Sequence, residues 1–147
     1  MLRKYALDTN LFIDGFRDRD AEARLTEFHR RYAPGEYLSA VVSLELRAGA
    51  RSSEDAALLE RHVFAPFQSR GRVFAPSYAP WKLAGGALAD LVGAGGPTLS
   101  QVSRGFYNDV LLAASCREHG ITLVTRNDRD FAKIARVLAF DFVPAWP

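Results

Sequence analysis

Residues 106–131 constrain the fold more than any other stretch of the chain. Asp109 stands where apolar residues at helical spacing predict the first turn of a helix, and Gly120 follows the last predicted turn. Residues 121–125 are rich in β-branched side chains and predict a short buried strand. Asn127 and Asp128 then predict a turn before a further helix. This stretch therefore predicts a helix–strand–turn–helix unit that can bring Asp109 and an acid of the turn to one end of a sheet.

The rest of the chain alternates predicted strands with predicted helices. Strands are predicted at residues 5–7, 37–39, 72–74 and 138–140, and a loop at 93–97. Helices are predicted to about residue 17, over 21–32, from the Ser39 cap to 48, from 53 to near 66, over 77–92 and, for a turn or two, over 99–105. Such alternation predicts an α/β fold in which helices cover both faces of a central, mainly parallel sheet. With 147 residues, the chain is expected to form a single domain, residues 1–147.

Composition excludes several classes of protein and site. Apolar residues make up 48 % of the chain, which argues against global disorder. The single cysteine, Cys116, excludes a disulfide framework, and no apolar stretch is long enough for a signal peptide or a membrane span. A cytoplasmic protein without membrane contact is therefore expected. The three histidines lack metal-ligand spacing, and the glycines after residue 92 lack the lysine and preceding strand of a phosphate-binding loop.

Acidic residues recur at positions where a parallel sheet places its functional edge. Asp8 follows the first predicted strand, and Asp128 and Asp130 follow the fourth, so they fall beyond the carboxyl ends of strands. Glu45 shares a helix face with the apolar residues three and four positions away, and a core-facing glutamate is costly unless it is paired or binds metal. Asp109 adds a further acid, in the first predicted turn of the helix that precedes the strand at residues 121–125.

Each acid also has a purely structural interpretation. Asp8 and Asp109 can cap helices, Asp130 can form a capping box with Asn127, and Glu45 can pair with an arginine at the edge of its face. Taken together, acids at two strand ends and on two helices form the layout of a carboxylate cluster. Oxygen ligands of this kind suit Mg²⁺ or Mn²⁺, ions that promote phosphodiester hydrolysis.

Four ordered motifs resemble the PIN domain ribonucleases, and among them the VapC-type toxins of bacterial toxin–antitoxin pairs. They are Leu7-Asp8-Thr9-Asn10; residues 38–49 around Glu45; Asn108-Asp109 with Ala113-Ala114; and residues 124–131. The resemblance covers nearly the whole chain and implies a three-layer α/β/α fold.

The resemblance also implies an activity, a cofactor and partners. A metal-dependent endoribonuclease is expected, with Asp8, Glu45, Asp109 and a fourth acid around Mg²⁺ or Mn²⁺. Many members carry Asp where this chain has Asn127, so Asp130 is the expected fourth ligand and Asp128 the lesser candidate. A homodimer and a neutralising cognate antitoxin are expected as well.

Charge is consistent with an RNA substrate. The formal net charge is +2, and without the four acids it would be +6. Sixteen of the nineteen basic residues are arginines, and Arg47, Arg126 and Arg129 lie in the motifs where they can contact phosphates. Solvated surface arginines remain the alternative. Supporting or RNA-contacting roles are expected for Asn10, Arg126, Asn127 and Asp128.

Two other functions remain open, and the sequence argues against a third. A PIN-domain nuclease that processes RNA would keep the same site, and a non-catalytic PIN module would act with a DNA-binding partner. A carboxylate phosphatase on another α/β fold needs an Asp-x-Asp motif after the first strand, and Asp8-Thr9-Asn10 lacks the second aspartate.

Overall fold

The computed structural model describes residues 2–93 and 95–147, and it confirms the predicted α/β architecture. Met1 and Ala94, the latter in the predicted loop at 93–97, lie outside the described residues. Within the described ranges, five strands form one sheet in the order β3-β2-β1-β4-β5, and every neighbouring pair is parallel. The strands are β1 (Tyr5–Leu7), β2 (Glu36–Ser39), β3 (Val73–Phe74), β4 (Thr122–Thr125) and β5 (Phe142–Pro144).

Helices flank the sheet and connect its strands. They are α1 (Thr9–Arg17), α2 (Arg19–Tyr32), α3 (Ala40–Ala48), α4 (Ser53–Leu59), α5 (Ala65–Ser69), α6 (Tyr78–Gly93), α7 (Arg104–His119) and α8 (Asp128–Ala135). A π-helical turn, Glu60–Phe64, joins α4 to α5. No helix among the described residues combines the length and apolar character needed to cross a membrane.

Strand β1 lies at the centre of the sheet and carries the first acid at its end. All three of its residues are buried, and it pairs with β2 on one side and β4 on the other. The backbone N–H of Asp8 donates to Val124 O over 2.9 Å, which extends the β1–β4 ladder by one residue. Asp8 is therefore fixed at the carboxyl edge of the two central strands.

Helix α7 is the most buried helix of the fold. Residues 110–116 are all buried, so the helix has apolar or small side chains on every face rather than a single stripe. It ends at Gly120, whose φ of 64° is a left-handed conformation that glycine adopts without strain.

Two predicted boundaries were wrong. Helix α7 begins at Arg104 rather than near Asp109, because the Ser103 side chain accepts a hydrogen bond from Phe106 N and caps the helix there. Asp109 consequently lies in the second turn, so the alternative interpretation of Asp109 as a helix cap is wrong. The last strand is Phe142–Pro144 rather than residues 138–140, because the Leu138 N–H still bonds to Ile134 O at the end of α8.

Gly15 is required by packing between two helices. A Cβ atom at this position would lie 2.7 Å from Leu25 Cδ2, so the glycine allows α1 and α2 to approach closely. This contact explains why a residue of low helix propensity stands inside α1, next to the segment that carries Asp8 and Asn10.

Candidate functional site

Asp8 is a buried carboxylate that three neighbours hold in place. It is 4 % exposed and caps α1 by accepting a hydrogen bond from Thr9 N at Oδ1 over 2.8 Å. Its Oδ2 accepts from Asn10 Nδ2 at 3.2 Å and from Thr125 Oγ1 at 2.8 Å. The capping interpretation of Asp8 is thus correct, and it leaves the carboxylate at the edge of the sheet, beside the other acids.

Glu45 lies half-buried on α3 and is held from two sides. Thr9 Oγ1 donates to its Oε1 over 2.8 Å, and Asn108 Nδ2 donates to its Oε2 over 3.4 Å. The structural alternative, an arginine partner for Glu45, is absent from these contacts. Arg47 instead pairs with Glu60 at 2.9 Å and stacks 4.0 Å from the centroid of the Phe64 ring. Glu45 therefore bridges the start of α1 and the second turn of α7, and Arg47 is occupied elsewhere.

Asp109 is the acid on which the negative charges act together. Burial, followed by the negative charges of Asp8, Glu45 and Asp130 in that order, raises its pKa to about 8. A carboxyl group feels such repulsion only from charges that are near it. The structure thus brings together the four acids that the sequence motifs single out.

Asp130, and not Asp128, is the acid of the α8 turn whose charge acts on Asp109. Asn127 caps α8: its Oδ1 accepts from Asp130 N at 3.4 Å, and its Nδ2 donates to Asp130 Oδ2 at 3.1 Å. The side chain of Asn127 therefore orients the Asp130 carboxylate. Asp128 is exposed and lines a neighbouring cavity with Leu11 and Trp146.

The environment of Asp8 contains opposing effects. Burial raises its pKa, whereas the hydrogen bonds from Thr125 and Thr9 lower it. The charge of Glu45 raises the pKa further, and the charge of Arg126 lowers it. The two threonines thus favour the ionised form of a carboxylate that its burial disfavours.

Arg126 is held by a bidentate ion pair at the edge of the cluster. Its Nε and Nη2 donate to the two carboxylate oxygens of Asp14 over 2.7 and 3.0 Å. The pair is partly exposed, and its arginine side chain retains 59 % of its accessible surface. Asp14 was not singled out from the sequence, and it accounts for the fixed position of Arg126.

The donor set has the chemistry of a divalent-cation site. The four acids offer oxygen ligands. Asn10, whose Nδ2 donates to Asp8, also has a buried Oδ1 acceptor without a hydrogen-bond partner. Within residues 2–93 and 95–147, however, no three acidic, histidine or cysteine side chains lie close enough to hold one ion directly. Mg²⁺ commonly keeps several waters and takes only one or two carboxylates, so an open cluster fits this ion better than a closed cage.

Two threonines and an asparagine complete the cluster and were not predicted as functional residues. Thr9 positions Glu45, Thr125 positions Asp8, and Asn108 reaches Glu45. Each is adjacent in sequence to a predicted acid or strand end. Their positions inside the sequence motifs were the available signal, but the bonds of Thr9 and Asn108 to Glu45 span 36 and 63 residues and depend on the tertiary fold.

The sequence profile of the PIN domain matches residues 5–137, which is most of the chain. The chain belongs to the PIN domain family. The strands and acids described above all fall within the matched range except β5, so the PIN domain accounts for the whole candidate site. No curated protein matches the chain.

Solved structures share the fold of this PIN domain at low identity. The DNA-bound VapBC from Salmonella typhimurium has a TM-score of 0.72 at 22 % identity, covering 97 % of this chain and 98 % of its own. VapBC2 from Rickettsia felis, bound to a promoter DNA fragment, has a TM-score of 0.66 at 21 % identity, with the same coverages. FitAcB from Neisseria gonorrhoeae has a TM-score of 0.68 at 20 % identity, covering 94 % and 95 %. At these identities the likeness shows a shared fold along nearly the full chain.

Proposed function

We propose that this PIN domain is a metal-dependent endoribonuclease and the VapC-type toxin of a toxin–antitoxin pair. The observation that carries the proposal is the convergence of four carboxylates on one place. Thr9 bonds to both Asp8 and Glu45, and the charges of Asp8, Glu45 and Asp130 act on the partly buried Asp109, whose pKa is raised. Such repulsion is unfavourable for the isolated chain, and a bound cation would relieve it. The proposed ligands are Asp8, Glu45, Asp109 and Asp130, some of which would hold the ion through its bound waters, because no three of these side chains lie close enough to bind one ion directly.

The chain's own residues prepare the site in distinct ways. Hydrogen bonds from Thr125 and Thr9 favour the ionised form of Asp8. The hydroxyl of Thr9 also orients Glu45 by donating a hydrogen bond to its carboxylate. Asn127 orients Asp130, and the unpartnered Asn10 Oδ1 offers a further acceptor for a water or an ion. Bound there, Mg²⁺ or Mn²⁺ would supply a Lewis acid that activates water and stabilises charge on the phosphate.

The toxin assignment is supported by what the structurally similar proteins are. Several are VapBC complexes, and another is a toxin–antitoxin complex from Klebsiella pneumoniae, with a TM-score of 0.58 at 23 % identity. By analogy, the partners of this chain are a cognate antitoxin and a second copy of itself, and the substrate is RNA in the cytoplasm.

Cleavage with and without metal tests the nuclease. The purified chain, free of antitoxin, should cut RNA from a panel of transfer, ribosomal and messenger species in Mg²⁺ or Mn²⁺. EDTA should abolish cleavage, and excess metal should restore it. Cleavage that persists unchanged in EDTA, or a wild-type protein inert towards the whole panel, would contradict the proposal.

Growth experiments separate the toxin from an RNA-processing nuclease or a non-catalytic module. Expression of the chain alone should arrest growth, and co-expression of the small protein encoded beside it should relieve the arrest. Normal growth with abundant, folded protein would favour RNA processing if the chain cuts RNA in vitro. It would favour the non-catalytic module if the chain does not.

A further inference from the structure

A cavity of about 200 Å³ opens beside the acid cluster, at the carboxyl end of β4. We propose that this cavity, called here the Trp146 cavity, receives one unstacked nucleobase of the RNA, next to the phosphate that is cut. Its defining residues are Leu11, Thr125, Arg126, Asp128 and Trp146. The inference rests on the proposed ribonuclease function and adds to it the subsite that reads the substrate.

Thr125 belongs both to the cavity and to the acid cluster, and so places the two side by side. Thr125 lines the cavity, and its hydroxyl donates to Asp8 Oδ2 over 2.8 Å. The cavity therefore begins one side chain away from a proposed metal ligand. A nucleotide whose phosphate lies at the acids has its base within reach of this opening, because successive phosphates and bases of a single strand are close neighbours.

The lining combines a flat aromatic surface with polar groups at the rim. Trp146 is half-buried and is braced by Phe28, with ring centroids 5.4 Å apart, while Leu11 and Pro144 add apolar surface. Single-stranded RNA is read by bases that are splayed out, stacked on aromatic side chains and hydrogen-bonded at their edges. Trp146 offers the stacking surface, and Asp128 offers acceptors for the edge of a base.

The charges of the rim favour a neutral base over other occupants. Asp14 and Asp128 oppose Arg24 and Arg126, so the lining carries no net formal charge. A free phosphate would lack an excess of cations there, and a basic peptide side chain would lack an excess of anions. Arg126 is, in addition, held as a fixed plane by Asp14 through bonds of 2.7 and 3.0 Å.

The volume also selects a small ligand. Sites for drug-sized molecules occupy about 300–1,000 Å³, so a cavity of about 200 Å³ suits a fragment such as a single base. A folded peptide segment would cover the opening without filling it.

The test uses a synthetic RNA that the wild type cuts, and a set of copies in which one nucleotide at a time lacks its base. Wild-type kcat/KM should fall about 5- to 150-fold for one abasic position beside the cut, which corresponds to about 1–3 kcal/mol for one stacked base. On the intact RNA, the kcat/KM of Trp146→Ala should be lower than that of the wild type by the same factor. Removing the base at that position should then lower the kcat/KM of the variant only slightly further. The matched control is Trp81→Ala, which removes the exposed tryptophan of α6 and should behave as wild type.

Trp146→Phe guards against a folding defect, because it keeps a ring against Phe28 while shrinking the stacking surface. It should show a smaller loss on intact RNA and a weaker response to the abasic position. A wild type that is indifferent to every abasic position, or a folded Trp146 variant that keeps the full wild-type sensitivity, would overturn the subsite while leaving the nuclease intact. Normal cleavage by Trp146→Ala with loss only of antitoxin inhibition would assign the cavity to the antitoxin instead. A wild type that cuts no RNA would overturn both proposals.

Discussion

Thr125 and Asp8 join two neighbouring strands at the candidate site: the Thr125 hydroxyl donates to Asp8 Oδ2 over 2.8 Å. The same hydroxyl oxygen accepts the backbone N–H of Asn127 over 2.9 Å. One buried side chain therefore holds both the carboxylate that follows β1 and the turn that presents Asp130. The fold connects the two halves of the acid cluster through this residue.

Thr125→Val should weaken both the fold and the ionisation of Asp8. Valine keeps the shape but removes a hydrogen bond to a charged group, so the free energy of unfolding should fall by about 1.5–3 kcal/mol. Because that bond lowers the pKa of Asp8, its loss should move the acidic limb of the cleavage–pH profile upward. Thr122→Val, at the opposite end of β4, is the matched control for a buried threonine. Unchanged stability and an unshifted limb in Thr125→Val would contradict this role.

Thr9→Val should weaken metal binding with little change in the fold. Thr9 is half-buried and donates to Glu45 Oε1 over 2.8 Å, so valine leaves this proposed ligand without its orienting bond. Loss of such a supporting bond typically costs about 10–100-fold in metal affinity or activity. The Mn²⁺ concentration for half-maximal cleavage should rise in Thr9→Val and return towards wild type in Thr9→Ser. Equal metal requirements in all three proteins would exclude the positioning role.

Asp109→Asn should stabilise the metal-free protein at alkaline pH. The folded-state pKa of Asp109 is about 8, above its ordinary value of 3.8, so the folded chain retains a proton that the unfolded chain releases between those values. Wild-type stability should therefore fall as pH rises from about 4 to 8, and the asparagine variant should lack this part of the fall. At pH 9 we expect it to be more stable by about 1–3 kcal/mol, less than the full value of the shift because Asp109 is only partly buried.

Unfolding measured from pH 4 to 9 without metal checks this expectation, and Asp90→Asn on the exposed face of α6 is the control. Mn²⁺ at a hundredfold excess over its dissociation constant should add about 2.7 kcal/mol to the wild type and less to Asp109→Asn. If the wild type and Asp109→Asn showed parallel curves of stability against pH and equal responses to Mn²⁺, the placement of Asp109 in the acid cluster would be contradicted.

Much of the architecture follows from local sequence. Strand β1 was predictable because a short apolar run stops at a capping aspartate, and α3 because Ser39 caps it and Gly49 ends it. The placement of Asp8 and Asp130 at one edge also followed from a general property, since the carboxyl ends of parallel strands share one edge of a sheet.

Tertiary contacts decided what local patterns did not. The start of α7 was misplaced because Ser103 caps it, and the apolar residues that mark the helix lie one to three turns further on. The π-helical turn at Glu60–Phe64 interrupts the helix that was predicted from residue 53 to near 66, and local spacing gives no signal for such a turn. The orienting bonds of Thr9 and Thr125 cross 36 and 117 residues, distances over which sequence periodicity carries no information.

The most direct test of the central claim compares RNA cleavage by the wild type, Asp109→Asn and Asp90→Asn in the same Mn²⁺ buffer, with folding verified for all three proteins. Asparagine preserves the shape of each side chain and removes one carboxylate, from the acid cluster in one variant and from exposed α6 in the other. If the four acids hold the metal that cuts RNA, Asp109→Asn should lose at least about a hundredfold in kcat/KM, a loss of about 2.7 kcal/mol, while Asp90→Asn keeps wild-type activity. Wild-type cleavage by Asp109→Asn would contradict the account.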